Sequence, residues 1–358
     1  MTTATQQLHE HGQSIWLDNI TRTLLTSGTL ERYVDQLSVT GLTSNPTILD
    51  KAIEGSDAYD EAIRASAASG ESLLFELALE DLRAAAYLFR PIHERTSGMD
   101  GWVSLEVSPD LAHDAAMTVA EAVRLHAEAE RPNLFIKIPG TPAGIDAIEE
   151  AIFRGVPVNV TLLFSHRQYL AAANAYLRGI ERRIAVGRDP DVRSVASLFV
   201  SRWDVAAADM VPPELRNHLG IAIATQTYAA YRDLLASERW QRLHDAGATP
   251  QRLLWASTGT KDPNASDVLY VEALAAELTI NTMPDITLLA FADHGQVRSL
   301  LPEDGGDVEQ TLDRFGQAGI DLDALAFRLQ QEGAAAFSAS WAKLLDCIAR
   351  KRERLAAA

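Results

Sequence analysis

The stretch FIKIPGT, Phe135 to Thr141, sets a lysine in the middle of strand-forming apolar residues. An ammonium in such surroundings is costly, so Lys137 must be exposed, paired or chemically employed. Leu134, Ile136 and Ile138 share one face of a two-residue repeat and leave Phe135 and Lys137 on the other. Burial favours the neutral form of an amine. A neutral amine attacks a ketone or aldehyde to give a Schiff base, whose iminium withdraws electrons during C–C cleavage. The proton transfers of that chemistry need a carboxylate, and Asp18 and Glu106 are two candidates with separable roles. A salt bridge between Lys137 and Glu106 is the competing reading.

Other chemistries find less support. His9 and His11 form the only HxH, inside a polar leader expected to be mobile, and the remaining histidines lack ligand spacing, so no metal is expected. There is no GxSxG elbow of the serine hydrolases. The 32 basic against 49 acidic residues give a net charge of -17, which repels polyanions and argues against nucleic acid and anionic membranes as partners. The single Cys347 excludes an intramolecular disulfide. The opening MTTATQQLHEHGQS has neither a basic nor an apolar targeting region, and no apolar run approaches the roughly 18 residues that span a bilayer. A cytoplasmic chain is expected.

The elements that must position these residues alternate in type. Strand-like runs begin at Ser14 (SIWLDNI), Ser38 (SVTGLTSN), Gly101 (GWVSLEVSP), Leu134 (LFIKIPG), Pro157 (PVNVTLLFS), Ser194 (SVASLFV), Arg252 (RLLWAST) and Leu278 (LTINTM). Between them lie helical patterns such as ESLLFELALEDLRAAAYLFRPI and DLAHDAAMTVAEAVRLHAEAE. Eight such units predict an α/β fold, a (β/α)₈ TIM barrel, read as one domain over residues 1–358 with its core at about 14–293. A doubly wound sheet is the runner-up, but no GxGxxG follows an early strand. Helical additions are expected over about 301–357, the last of them a C-terminal helix from Gly333 to about Ala357 whose apolar stripe must dock somewhere.

In such a barrel the upper ends of the strands hold the active site, and the two-residue period brings Asp18, Asn45, Glu106, Asn159 with Thr161, Ser197 and Ser257 to the same end as Lys137. Taken singly, an Asn before a proline and a helix is a cap, and Asn45 fits that description. A polar residue near the end of almost every strand is a different matter, because a barrel built for stability alone fills these layers with Val, Ile and Leu.

These residues carry a resemblance. GLTSNPTIL at Gly41, LEVSP at Leu105, FIKIPGTPAGIDAI at Phe135 and GVPVNVTLLFS at Gly155 resemble the transaldolases. SLFVSRWD at Ser197, LLWASTGTKDP at Leu253 and TINTMPD at Thr279 resemble their longer bacterial subgroup, and the motifs occur in the right order from about Ser14 to Asp293. The resemblance implies a cofactor-free, class I aldolase-like barrel that transfers a dihydroxyacetone unit between sugar phosphates, its substrate partners. It makes Lys137 the Schiff-base lysine, Asp18 the acid/base for C3–C4 cleavage, and Glu106 with Thr161 the pair that activates a water. Asn45, Asn159 and Ser197 match positions that bind the hydroxyls of the three-carbon unit, Arg202 the phosphate-binding arginine, and Ser257 a second residue on the phosphate side. The short-form pattern has another arginine just after that serine. Here the chain reads SerThrGlyThrLys, and Lys261 is expected to take the charge. Gly140 stands where alanine is common. Phe199 stands where fructose-6-phosphate aldolases tend to carry tyrosine, which favours transfer over simple release. Such an aldolase and a non-catalytic barrel acting as an interaction protein are the alternatives, and a homodimer is left open.

Overall fold

Eight parallel strands are hydrogen-bonded into a ring in the computed structural model, which describes residues 3–357. They are β1 Gln13–Asp18, β2 Val39–Thr43, β3 Val103–Glu106, β4 Leu134–Pro139, β5 Val158–Leu163, β6 Ser194–Phe199, β7 Gln251–Ala256 and β8 Thr279–Met283. Pairing follows the order β2-β1-β8-β7-β6-β5-β4-β3. The ring is drawn together between β2 and β3, where Gly101 N donates to Thr40 O at 3.0 Å and Leu42 N to Trp102 O at 2.9 Å. Helices return the chain from each strand to the next, so the fold is the expected (β/α)₈ barrel, with six strands falling within the expected runs and β1 and β7 each starting one residue before theirs.

The outward residues of each strand meet the helices. Leu134, Ile136 and Ile138 are fully buried there. The inward residues form three layers. At the amino end of the strands, Arg252 donates to Ser14 Oγ at 2.7 Å and to the carbonyls of Thr279 and Met99, while Asp100 accepts from Ser14 Oγ and from Trp16 Nε1 at 2.7 Å. Above this polar floor lies an aromatic layer in which Trp102 and Phe135 stack at 4.1 Å and Trp16 leans on Phe135 at 6.2 Å. Gly41 is required beside it, because a Cβ there would sit 2.7 Å from both Trp16 and the Trp102 carbonyl. The third layer is polar and holds Asp18, Thr43, Glu106, Lys137, Thr161 and Ser197, with Asn159 buried beneath Ser197.

Two expectations are corrected. From Thr3 onward the polar leader is folded rather than loose. It forms a helix, Ala4–Glu10, capped by Thr3 and pinned by the fully buried Leu8, with His9 and His11 exposed. The C-terminal helix does not begin at Gly333 but runs over Leu322–Ala357, started by Asp321 Oδ1 accepting from Ala324 N at 3.0 Å. One interior glycine costs a helix only about 1 kcal/mol. Here that cost is outweighed by the buried stripe of Leu325, Leu329, Trp341, Leu344 and Ile348. Among the described residues no helix is long and apolar enough to cross a membrane.

Candidate active site

The carboxyl end of the barrel opens into a pocket of about 460 Å³. Lys137 enters it from the middle of β4, with its neighbours Ile136 and Ile138 buried on the outer face of the strand. Nζ lies 2.5 Å from Glu106 Oε1 on β3 and donates to Ser44 O at 3.1 Å. The lysine and the glutamate are only 7% and 6% exposed, so the pair meets in a poorly hydrated site. Burial pushes the Glu106 carboxyl above its usual range against the pull of Lys137. The ion pair expected as the competing reading is therefore present in the same place as the pocket.

Asp18, at the end of β1, accepts from Thr43 Oγ1 at 3.0 Å and from Asn45 Nδ2 at 3.4 Å. Burial raises its carboxyl too, the charge of Lys137 and these two donors opposing. Asn45 is the helix cap it was expected to be if read singly: its Oδ1 accepts from Ile48 N at 3.1 Å, with Pro46 in the first turn. The cap fixes the amide so that its other end faces Asp18. Local helix chemistry and the site thus use the two ends of one side chain.

Glu106 and Thr161 share a smaller cavity of about 20 Å³ with Lys137 and Phe337. Thr161 Oγ1 has no hydrogen-bond partner there, while Glu106 Oε1 is held by Lys137. The volume, the unpartnered Thr161 hydroxyl and the nearby Glu106 carboxylate suit one water molecule. Ser197 lines the main pocket and donates to Asn159 Oδ1 at 2.7 Å, while Asn159 Nδ2 donates to Ser104 Oγ at 3.1 Å. Asn159 is fully buried and lines neither the pocket nor the smaller cavity that holds Glu106.

Farther out, Arg202 and Lys261 bring positive charge to the pocket mouth. Arg202 makes no ion pair among the described residues and lies over the Phe199 ring at 5.0 Å. Burial lowers its guanidinium below its ordinary value, with Glu332 opposing. Ser257 lines the same end, holding a left-handed backbone (φ 57°) and bonded to Ser201 Oγ at 2.9 Å. Lys261 is exposed on the rim.

Sequence reasoning missed several neighbours. Thr43 and Thr282 bond each other at 2.8 Å beneath Asp18, Ser44 offers its carbonyl to Lys137, and Phe337 of the C-terminal helix covers Lys137 Nζ at 5.6 Å. The inward period of β2 and β8 carries a signal for the two threonines. A backbone carbonyl carries none.

A family model described as Transaldolase/Fructose-6-phosphate aldolase matches residues 15–348. A transaldolase of Saccharopolyspora erythraea is 45% identical over 360 residues, covering 98% of this chain and 97% of its own. One of Thermobifida fusca is 44% identical with 97% of each chain covered, and a protein of Nostoc punctiforme named transaldolase 2 is 40% identical with 96% of each covered.

Proposed function

Because the chain belongs to the transaldolase/fructose-6-phosphate aldolase family, we propose that it is a transaldolase. In this reading it is a cytoplasmic transferase of the non-oxidative pentose phosphate pathway, moving a dihydroxyacetone unit so that sedoheptulose 7-phosphate and glyceraldehyde 3-phosphate become erythrose 4-phosphate and fructose 6-phosphate. The observation that carries it is the position of Lys137 Nζ, buried 2.5 Å from Glu106 at the floor of a pocket whose mouth holds Arg202 and Lys261.

Lys137 passes its proton to Glu106, whose burial already favours the protonated carboxyl, and the neutral amine attacks C2 of the ketose phosphate. Glu106, acting through a water held with Thr161, returns the proton to the carbinolamine hydroxyl, which leaves as water while the iminium forms. Asp18 then takes the proton of the C4 hydroxyl. The C3–C4 bond breaks, its electrons flow into the iminium, and an enamine stays on Lys137 as the first aldose phosphate departs. Addition of the acceptor aldehyde runs these steps in reverse. Asn45 and Ser197 hold the hydroxyls of the three-carbon unit, with Asn159 behind Ser197 to orient it. A planar guanidinium suits a phosphate, so Arg202 takes the terminal group, Ser257 and Lys261 assisting. No cofactor enters this scheme.

Borohydride added with fructose 6-phosphate should leave a reduced three-carbon unit on the peptide containing Lys137, and an adduct on any other lysine would sink the assignment. The second reading is a fructose-6-phosphate aldolase that releases its aldehyde without an acceptor. Phe199 weighs against it, since its ring packs on Phe164 at 5.3 Å and brings no hydroxyl to the pocket. Product analysis with and without erythrose 4-phosphate separates the two.

A further inference from the structure

Gln330 is the one uncharged polar side chain buried on the C-terminal helix, at 4% exposure among otherwise apolar neighbours. Its Nε2 donates to Gly140 O at 3.0 Å and to Leu162 O at 2.9 Å. Those carbonyls lie just past the end of β4, which carries Lys137, and within β5, which carries Thr161. Gly140 follows β4 and donates its own N–H to Thr161 O at 2.7 Å. Leu162 comes directly after Thr161 and holds a left-handed backbone (φ 59°) at the point where β5 loses register with β6, between Val160 and Leu163. A leucine stays in that conformation only where its surroundings impose it.

We infer that Gln330 is a positioning residue: its amide spans β4 and β5, fixes the turned backbone at Leu162, and so aims the Thr161 hydroxyl at the cavity it shares with Glu106. The same helix closes that cavity. Ala334 and Phe337, one and two turns beyond Gln330, form part of its wall, and a Cβ at Gly333 would already press on Leu162 Cδ2 at 3.0 Å. One side chain therefore sets both the seat of the helix and the direction of Thr161. The steps that gain or lose water at Lys137 depend on it through Thr161, whereas the phosphate side meets the same helix only where Arg202 lies beside Glu332 and Gly333.

The inference rests on the Schiff-base reading of Lys137, and its test separates the two. Wild type, Gln330→Met and Gln330→Leu are compared in single turnovers with fructose 6-phosphate, following the rate at which borohydride fixes the adduct on Lys137. Loss of the amide should slow this rate and kcat by roughly ten- to a hundredfold, with KM changed by less than about threefold. Wild-type trapping rates in folded variants, even with a lowered melting temperature, would overturn the positioning role, and so would loss of the fold in both variants, which makes Gln330 purely structural. If wild type itself gives no Lys137 adduct, the Schiff-base reading fails and the inference falls with it.

Discussion

Asn45 and Asp18 are joined across two strand ends by an amide whose orientation neither of them sets: the backbone N–H of Ile48 holds Asn45 Oδ1, and the opposite end, Nδ2, meets Asp18 Oδ1 at 3.4 Å. The acid is thus held from the side of β2 by a helix cap and by Thr43, and Lys137 reaches Asp18 only through its charge. Glu106, by contrast, touches Lys137 directly. The two carboxylates stand in different relations to one amine, and their variants should differ.

Asp18→Asn should still allow borohydride to trap an adduct on Lys137 while transfer falls by roughly 10²- to 10⁴-fold, the usual worth of a general acid or base. Glu106→Gln should slow the trapping itself, because it removes the group that exchanges protons with the amine and the water. Equal losses of trapping in both variants would contradict this division of labour.

Asp18 should also be a burden on stability. Its carboxyl is raised by burial, so the folded protein holds that proton more tightly than the unfolded chain, and stability falls as pH rises from the unfolded value of about 4 through the folded one. Asp18→Asn should therefore melt a few degrees higher than wild type at neutral pH, and the gain should vanish as pH is lowered toward 4. Calorimetry across that range checks it; a gain that grows in acid would reverse the sign.

Arg202 and Lys261 differ in burial and should differ in worth. A charge-assisted contact from a partly buried guanidinium contributes about 1.5–3 kcal/mol, so Arg202→Ala should raise KM for phosphorylated donors roughly ten- to a hundredfold and leave unphosphorylated dihydroxyacetone donors little changed. Lys261→Ala should cost under about 1 kcal/mol and should lose its effect in high salt. If the lysine variant is the more damaging, the phosphate lies toward the rim.

The C-terminal helix is latched far from the site. Lys351, 4% exposed, meets Asp60 at 2.9 Å and donates to the carbonyls of Ile53, at 2.7 Å, and Ser56. Removing a buried partner of this kind costs about 3–5 kcal/mol, so Lys351→Ala should lower the urea midpoint sharply. Arg350→Ala breaks only an exposed pair with Asp346 and should stay within about 0.5 kcal/mol of wild type.

Much of this was legible because the strands are short apolar runs with a strict two-residue period, and a lysine or aspartate on the inward face interrupts that period visibly. Lys137, Asp18 and Glu106 show in this way. Asn159 shows equally well but stands behind Ser197, since the period gives a face and not a depth. Gln330 and Gly333 lie on the apolar stripe of the last helix, where an isolated polar or small residue reads as tolerated noise. Their meaning comes from what the helix is laid against, a contact between residues far apart in the chain. The start of that helix at Leu322 was missed because the glycine inside it looks like a boundary.

The floor of the barrel, closed by Arg252, Ser14 and Asp100 under Trp16, Trp102 and Phe135, makes the reaction chamber a well with a single mouth. Nothing can arrive from below while something sits above. In the proposed reaction the departing aldose and the incoming one would use the same opening in turn, so the traffic would be ordered by architecture: the three-carbon fragment would wait, tethered, while its two successive partners exchange places overhead.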